Sequence, residues 1–338
     1  MVPLPIRAPL TISVVVCAYT EARWDELICS LESLAAQTRC AHEVILVIDH
    51  NPALFARCRQ SFADIAVVEN SNGRGLSGAR NTGVASSTGD VVAFIDEDAM
   101  AAPDWLEVLA SLYDEGTEGH EGDTAGRGPR VLGAGGSISP QWVAAKPAWF
   151  PDEFLWVVGC TYRGLPEVTT PIRNLIGCNM SIRRSVLDEV GGFRIGRIGA
   201  LSIGQENDET EICVRMHERY PDGVILYDPL ARVINHRVPA SRTAASYFAR
   251  RCLSEGISKS RLSKVVGNAA GLSSERTYVS KTLPLGAARG VTEALRGRPA
   301  AILQSIAIVV GLTITAGGFV YGRLRMLIGL DRQPASLT

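Results

Sequence analysis

The feature that most constrains the fold is an alternation of short, uninterrupted apolar segments with segments of helical periodicity. The apolar segments are rich in β-branched residues, which is typical of strands buried on both faces of a parallel sheet. Strands that alternate with helices at this spacing predict βαβ units and an α/β fold with a mostly parallel central sheet. The predicted strands are 12–19, 42–49, 65–70, 91–96 and 131–138, and the predicted helices among the first four are 24–37, 53–62 and 77–87.

Polar side chains follow three of these predicted strands. Ligands of open α/β sheets bind beyond the carboxyl ends of the strands. Polar residues that gather at this edge therefore indicate a binding site. The three groups are Tyr19-Thr20-Glu21, Asp49-His50-Asn51 and Asp96-Glu97-Asp98.

The last of these groups places three adjacent carboxylates at the end of a buried strand, where they repel one another. A hard divalent cation would relieve the repulsion, because Mg²⁺ is usually held by one or two carboxylates together with ligand phosphates. If the segment is extended, Asp96 and Asp98 point to the same face and Glu97 points away. The alternative is a solvated acidic turn after the strand.

Three glycines, Gly73, Gly75 and Gly78, match the spacing of a dinucleotide-binding fingerprint. They follow the third strand, however, whereas the fingerprint belongs to the first βα turn, so a dinucleotide site is not expected. Two interpretations are left. The glycines permit a tight turn before a helix, or the helix N-terminus and Arg80 face a phosphate-bearing ligand.

A second acidic group lies in residues 204–219, immediately before and within a predicted helix. Acidic residues at a helix start interact favourably with the helix dipole, which accounts for some of them. A carboxylate among other carboxylates can also act as a general base. The acidic residues in question are Glu206, Asp208, Glu209 and Glu211.

Charge is distributed unevenly along the chain. Residues 231–338 carry 16 basic and 4 acidic side chains, whereas the whole chain of 338 residues has a net charge of −1. Residues 299–322 contain no charged side chain, and the segment is long enough to enter a membrane, to form a buried helix or to lie at a membrane interface. A nucleic-acid-binding protein is not indicated, because the basic tail lacks interleaved aromatic residues. Residues 114–130, rich in glycine and charge, predict a surface loop.

Taken together and in order, several motifs resemble those of a family 2 glycosyltransferase with a GT-A fold. The resemblance extends from about residue 11 to about residue 255, and within the family it is strongest to a subgroup often labelled glucosyl-dolichyl-phosphate glucuronosyltransferase-like. The motifs are SVVVCAYTE (13–21), EVILVIDHN (43–51), GLSGARNTGV (75–84), FIDEDA (94–99), IGCNMSIRRSVLDEVGGF (176–193) and DETEICVR (208–215).

This resemblance implies an inverting transfer of a sugar from a nucleotide diphosphate sugar, most simply a UDP-sugar, with Mg²⁺ or Mn²⁺ as cofactor. It implies a base at Glu209, with Asp208 second, although the commoner family pattern has Asp at this position. The remaining implied roles are nucleotide-sugar binding by Tyr19, Glu21, Asp49, Arg80 and Asp96, metal binding by Asp98, Asp96 and His236, and acceptor contact by Asn179. Trp149 either stacks on a sugar acceptor or packs in the core or a loop.

For the organisation of the chain we expect a catalytic domain over 1–255, with a nucleotide-binding half at 11–100 and an acceptor half at 131–255. A basic helical tail, 256–338, would follow and would hold the protein at the cytoplasmic face of the cell membrane. The implied acceptor is a polyprenyl-linked or other envelope glycan. A catalytically inactive scaffold subunit that binds sugar nucleotide is the alternative.

Overall fold

The computed structural model describes residues 9–114, 129–195, 208–266 and 276–328. Within these residues nine strands form one sheet, in the order β3-β2-β1-β4-β8-β6-β9-β5, and β7 pairs with β9. The first four strands are β1 Ile12–Ala18, β2 Glu43–Ile48, β3 Ala66–Glu69 and β4 Val91–Asp96, and the helices that connect them are α1 Trp24–Ala35, α2 Pro52–Ser61 and α3 Leu76–Ser86.

The first half of the sheet is parallel, as the sequence predicts. β1 lies between β2 and β4, with Val15 opposite Ile45 on one side and Phe94 on the other. All three of these side chains are almost fully buried. Two-sided burial explains why these strands read as continuous apolar segments rather than as alternating ones. The predicted ends of all four strands and three helices lie within two residues of those in the structure.

The second half of the sheet is antiparallel, so the sheet as a whole is mixed. β8 pairs antiparallel with β4 and with β6, and β9 pairs antiparallel with β5 and with β7. The expectation of a mostly parallel sheet therefore holds only for β1 to β4. The further elements are β5 Met100–Ala101, α4 Trp105–Asp114, β6 Val131–Trp142, β7 Thr170–Pro171, β8 Asn179–Arg183, α5 Arg184–Val190, α6 Asp208–Arg219 and β9 Val224–Val238.

The C-terminal part is helical. α7 spans Ala245–Val266, a π-helical turn spans Tyr278–Thr282, α8 spans Leu283–Leu295 and α9 spans Ala301–Leu327. α9 is long and apolar enough to cross a membrane, judged by its length and composition. Its contacts within the protein are made largely through small residues, as described below.

The chain divides into two compact units that alternate along the sequence. The first unit contains residues 1–137, 168–195 and 215–234, and the second contains 138–167, 196–214 and 235–338. The predicted domain boundary at 255/256 is wrong, because it falls inside the continuous helix α7. Most of the predicted surface loop at 114–130 lies outside the described residues.

Candidate active site

In the first unit, the end of β2 is organised around the buried carboxylate of Asp49. Its Oδ1 accepts hydrogen bonds from Asn70 Nδ2 at 2.7 Å and His50 Nδ1 at 2.8 Å, and its Oδ2 accepts one from the Gly75 backbone N–H at 2.9 Å. Burial alone would raise the pKa of this carboxyl, but the hydrogen bonds from Asn70, His50 and Gly75 lower it below the ordinary value. Asp49 is therefore ionised, and its carboxylate anchors the segment after β3 through Asn70 and Gly75.

The glycine-rich turn before α3 has local steric reasons for its composition. Gly75, which precedes the first residue of the helix, has a φ of 121°, which favours glycine. A Cβ at Gly78 would lie 1.9 Å from the Gly73 carbonyl oxygen, so only glycine fits there. The turn-geometry interpretation of these glycines is thus supported by the structure itself.

Two side chains of α3 tie this helix to the segment that flanks β8 and α5. Arg80 is 3% exposed and donates from Nη2 to the Gly177 carbonyl at 3.0 Å. Asn81 forms two hydrogen bonds with the backbone of Phe193, at 2.6 and 2.7 Å. Among the described residues, Nη1 of Arg80 has no hydrogen-bond partner. It is a buried donor that a ligand oxygen would satisfy.

The acidic group after β4 differs from the sequence expectation. The strand ends at Asp96, and Glu97 and Asp98 form a turn that is closed by a hydrogen bond from Ala99 N to Asp96 O at 3.2 Å. Strand alternation therefore does not apply beyond Asp96, and the prediction that Glu97 points away from its neighbours is wrong. Arg23 Nη1 lies 2.6 Å from Glu97 Oε1 and 3.2 Å from Asp98 Oδ2.

The ionisation of Glu97 is strongly affected by its surroundings. Burial, and next the negative charge of Asp98, raise the pKa of Glu97 to about 7, against the opposing charge of Arg23. The repulsion seen in the sequence is thus partly relieved by a protein cation from the first βα turn.

The donor atoms at the end of β4 suit a hard divalent cation. Asp96 is half-buried, and one of its carboxylate oxygens lies within 4.8 Å of Cys178 Sγ. Carboxylate oxygens suit Mg²⁺ and Mn²⁺, whereas a thiol suits softer metals. By chemical type, the carboxylates of Asp96 and Asp98 are ligands that such an ion takes, whereas the thiol of Cys178 is not.

Tyr19 and Glu21 lie on the surface after β1. Tyr19 is 51% exposed, and the Arg23 guanidinium lies 5.4 Å from the centre of its ring. Glu21 begins a short 3-10 helix, Glu21–Arg23, whose start is capped by the Thr20 hydroxyl, which accepts from Ala22 N at 3.2 Å. Both side chains are accessible to a ligand.

Asn179 does not have the accessibility that its predicted acceptor role requires. It is fully buried in β8, where its Oδ1 accepts from Trp105 Nε1 at 2.9 Å. Its Nδ2 donates to the carbonyls of Ser137 and Ala231, at 2.9 and 2.7 Å. The prediction of acceptor contact is therefore wrong for this residue, which instead ties strands together.

The other predicted site residues belong to the second unit. Asp208 and Glu209 are half-buried in the first turn of α6, and Glu206 lies outside the described residues. His236 is 3% exposed and follows Asn235, whose φ of 56° makes a local irregularity in β9. Trp149 is half-buried and packs on Phe150 and Phe248, with ring centres 5.3 and 5.5 Å apart.

Comparison with known proteins identifies the family. A family model described as glycosyl transferase family 2 matches residues 13–191, which is more than half of the chain. The chain belongs to glycosyltransferase family 2. The matched region contains all of the strand-end residues described above for the first unit, and it ends at the close of α5.

Two curated relatives extend the comparison beyond the matched region. The glucosyl-dolichyl phosphate glucuronosyltransferase of Haloferax volcanii is 36% identical over 322 residues, covering 93% of this chain and 97% of the relative. The succinoglycan biosynthesis protein ExoM of Rhizobium meliloti is 28% identical over 266 residues, or 75% of each chain. The glycosyltransferase assignment that the sequence motifs implied is confirmed.

The fold is confirmed by a solved structure. The mannosyltransferase PcManGT from Pyrobaculum calidifontis, in complex with GDP-Man and Mn²⁺, superposes with a TM-score of 0.50 at 17% identity, covering 91% of this chain and 87% of that chain. At this identity the likeness concerns the fold alone. The GT-A fold expected for this family 2 glycosyltransferase is the fold observed.

Sequence reasoning missed Arg23 and Asn70. Each binds a predicted site carboxylate, Arg23 at Asp98 and Asn70 at Asp49. The available signal for both was position: Arg23 lies in the first βα turn and Asn70 follows β3, so both belong to the edge where strand ends gather.

Proposed function

We propose that this protein transfers a sugar from a nucleotide diphosphate sugar to a lipid-linked acceptor, with inversion at the anomeric carbon and with Mg²⁺ or Mn²⁺ as cofactor. The observation that carries the proposal is the full-length likeness to the Haloferax relative, whose name specifies a dolichyl phosphate-linked sugar as acceptor. It supports a polyprenyl-linked acceptor and a UDP-sugar donor, UDP-glucuronate or a UDP-hexose. An envelope glycan acceptor is the broader form of the same proposal.

The strand-end residues of the first unit are proposed to bind the donor. Asp49 and the exposed Tyr19 and Glu21 would contact the nucleotide, and Arg80 would offer its buried Nη1 to the diphosphate. Asp96 and Asp98 would hold the divalent ion, to which His236 is proposed to contribute. Such an ion, when bound, neutralises charge that develops on the diphosphate leaving group.

A carboxylate of α6 is proposed to take the proton from the acceptor hydroxyl. Glu209 is the first candidate and Asp208 the second, and both lie in the first turn of the helix. Trp149 is the remaining candidate for acceptor contact, since its ring is half-buried rather than enclosed. We place the catalytic part at the cytoplasmic face of the cell membrane, where nucleotide sugars and lipid-linked acceptors meet.

The test is a screen of UDP- and GDP-sugars against polyprenyl phosphate-linked acceptors, with added Mg²⁺, Mn²⁺ or chelator. Asp98→Asn should lower turnover about a thousandfold, because several kcal/mol of charge stabilisation correspond to that factor. Glu209→Gln should lower it roughly a hundredfold or more, as loss of a general base does. Asp188→Asn, an exposed aspartate of α5, is the matched control and should leave turnover unchanged.

Two outcomes would change the assignment. Full activity of Asp98→Asn would remove the metal role from this acid, and full activity of Glu209→Gln would move the base to Asp208. The second candidate function is an inactive scaffold subunit, which the Glu at the expected Asp position favours. Donor binding by calorimetry without turnover on any acceptor would support it.

A further inference from the structure

α9 has two chemically different faces. The inward face carries small residues that let other helices approach closely: a Cβ at Gly318 would meet the Leu253 carbonyl of α7 at 2.4 Å, and one at Gly322 would meet the Ser260 hydroxyl at 2.1 Å. Near its start, α9 is joined to α8 by a hydrogen bond from the Ser305 hydroxyl to the Ala287 carbonyl at 2.7 Å. Both halves of α9 are therefore packed against other parts of the second unit.

The outward face is an apolar stripe that the described protein leaves uncovered. Only 28% of the most apolar 18-residue window of α9 is buried, unlike the core helix of a soluble protein. The exposed side chains recur at helical spacing along nearly the whole length, which places them on one face. Between 38% and 81% of each is exposed, and they are Ile302, Ile306, Val309, Val320, Leu324 and Leu327.

Positive charge borders this apolar stripe. Residues 276–328 contain seven basic side chains and one acidic side chain. Two of the basic residues, Arg296 and Arg298, lie in the exposed turn between α8 and α9, next to Leu295, which is 86% exposed. An apolar face bordered by arginines complements the surface of an anionic bilayer, where acyl chains lie beneath negatively charged headgroups.

The residues packed around α9 argue against a membrane-spanning orientation of this helix. A helix of 27 residues is roughly 40 Å long, and a hydrocarbon core is roughly 30 Å thick, so a spanning α9 would place its centre deep in lipid. Charged pairs lie beside that centre. A Cβ at Gly286 would meet both Ile308 of α9 and the Glu153 carboxylate, which forms an ion pair with Arg289.

A second charged pair lies further along the helix. On α7, Glu255 and Lys259 form an ion pair at 3.2 Å. Gly256, next to this glutamate, abuts the backbone of α9 at Thr315 and Phe319. Charged side chains at the bilayer centre are costly, so a spanning α9 would require these partners to separate from it.

We propose that the stripe of α9, together with α8 and the Arg296–Arg298 turn, binds one leaflet of an anionic bilayer with α9 lying in the membrane plane. The protein is then monotopic, and its apolar C-terminal helix is a surface anchor rather than a membrane span. The proposal is consistent with the proposed lipid-linked acceptor but does not rest on it. Its test requires neither donor nor acceptor.

The first experiment is flotation of the full-length protein with vesicles of phosphatidylcholine alone or with added phosphatidylglycerol. Binding should require the anionic lipid, and Arg296→Ala and Arg298→Ala should each weaken it roughly fivefold. The double variant Val309→Asp/Val320→Asp should bind at least tenfold more weakly. Leu230→Asp, a comparably exposed apolar residue of the first unit, is the matched control and should bind as the unaltered protein does.

The second experiment measures the depth of three exposed positions along α9. Tryptophan is introduced singly at Ile302, Thr313 and Leu324, and its added fluorescence is quenched by lipids brominated at shallow or deep positions of the chain. An in-plane helix gives the same shallow depth at all three positions. A deep Thr313→Trp between two shallow ends would overturn the proposal in favour of a span. A stable dimer that does not bind vesicles would overturn it in favour of a second copy as the partner.

Discussion

The strand ends of the first unit and the helix α9 of the second unit are both joined to distant parts of the chain, but by opposite means. At the strand ends, polar side chains meet: Arg23 contacts Glu97, 74 residues away, and Asn70 contacts Asp49. In α9 the close contacts depend on glycine, which has no side chain, as at Gly318 and Gly322.

This difference determines which kind of substitution destabilises each region. A polar contact between buried groups is lost when one partner is removed, because the other group then lies buried without compensation. A close helix contact is lost when an atom is added, because the backbone has no space to move into. Truncation of a polar side chain should therefore destabilise the strand ends of the first unit. Addition of a Cβ at a glycine should destabilise the packing of α9 in the second unit.

The largest expected effect of removal is at Asn179. Asn179→Ala leaves the Trp105 N–H and the carbonyls of Ser137 and Ala231 without their partner, at roughly 1–3 kcal/mol each, so we expect a loss of about 4 kcal/mol in unfolding free energy. Denaturant unfolding followed by circular dichroism measures it. Asn174→Ala, a half-buried asparagine on a loop, should cost less than about 1 kcal/mol. A stable Asn179→Ala enzyme with a raised KM for acceptor would restore the acceptor role.

The largest expected effect of addition is at Gly318. Gly318→Ala places a Cβ 2.4 Å from the Leu253 carbonyl, which should cost about 2 kcal/mol and loosen α9 from α7. The neighbouring glycine is a matched control, since a Cβ at Gly317 meets nothing within 4 Å. Gly317→Ala should instead stabilise the helix by up to about 1 kcal/mol, as alanine does in an exposed helical position. Equal effects at both positions would contradict the packing described.

Removal of the Arg23 side chain should have a smaller effect, because a quarter of that side chain is exposed. Arg23→Met removes the cation that Glu97 and Asp98 share, and we expect a loss of about 2 kcal/mol at pH 9, above the raised pKa of Glu97, where this carboxyl is ionised. Thermal and denaturant unfolding measure it. Adding Glu97→Gln should restore about half of the loss, since one of the two repelling charges is then gone. No recovery in the double variant would place the effect of Arg23 elsewhere.

The sequence was sufficient to predict those elements whose own residue types indicate that they are buried. β1 and β4 were predicted within one residue, because a β-branched apolar segment reports burial on both faces without reference to any partner. α9 was predicted as a long apolar segment because residues 299–322 carry no charged side chain. Its environment was left open, because apolar composition is shared by membrane helices and by core helices.

What the sequence could not supply was the identity of partners. Nothing near Glu97 indicates that a guanidinium 74 residues earlier neutralises it, or that the acidic group turns after Asp96. Asn179 was predicted as an acceptor contact from its place in the acceptor-side motif, because the sequence does not show that its three hydrogen-bond partners come from three other segments of the chain. Periodicity reports whether a residue is buried, but pairing depends on the folded topology.

The smallest effect that we predict depends on pH. The pKa of Asp49 is lower in the folded protein than its ordinary value of about 3.9, so the carboxylate contributes stability that is fully present above that value. This contribution is lost as pH falls through the lower, folded pKa. Asp49→Asn places an amide where Gly75 N–H needs an acceptor, and should cost about 1 kcal/mol between pH 5 and pH 8.

Unfolding free energy measured from pH 8 down to pH 3 tests this expectation. The curves of the unaltered protein and of Asp49→Asn should run parallel above pH 5 and approach each other below about pH 4, where Asp49 begins to bind its proton in the unfolded chain. Asp64→Asn, an exposed aspartate after α2, should follow the unaltered protein throughout. Curves for Asp49→Asn and the unaltered protein that stay equally far apart at pH 3 would show that the loss comes from packing and not from the carboxylate charge.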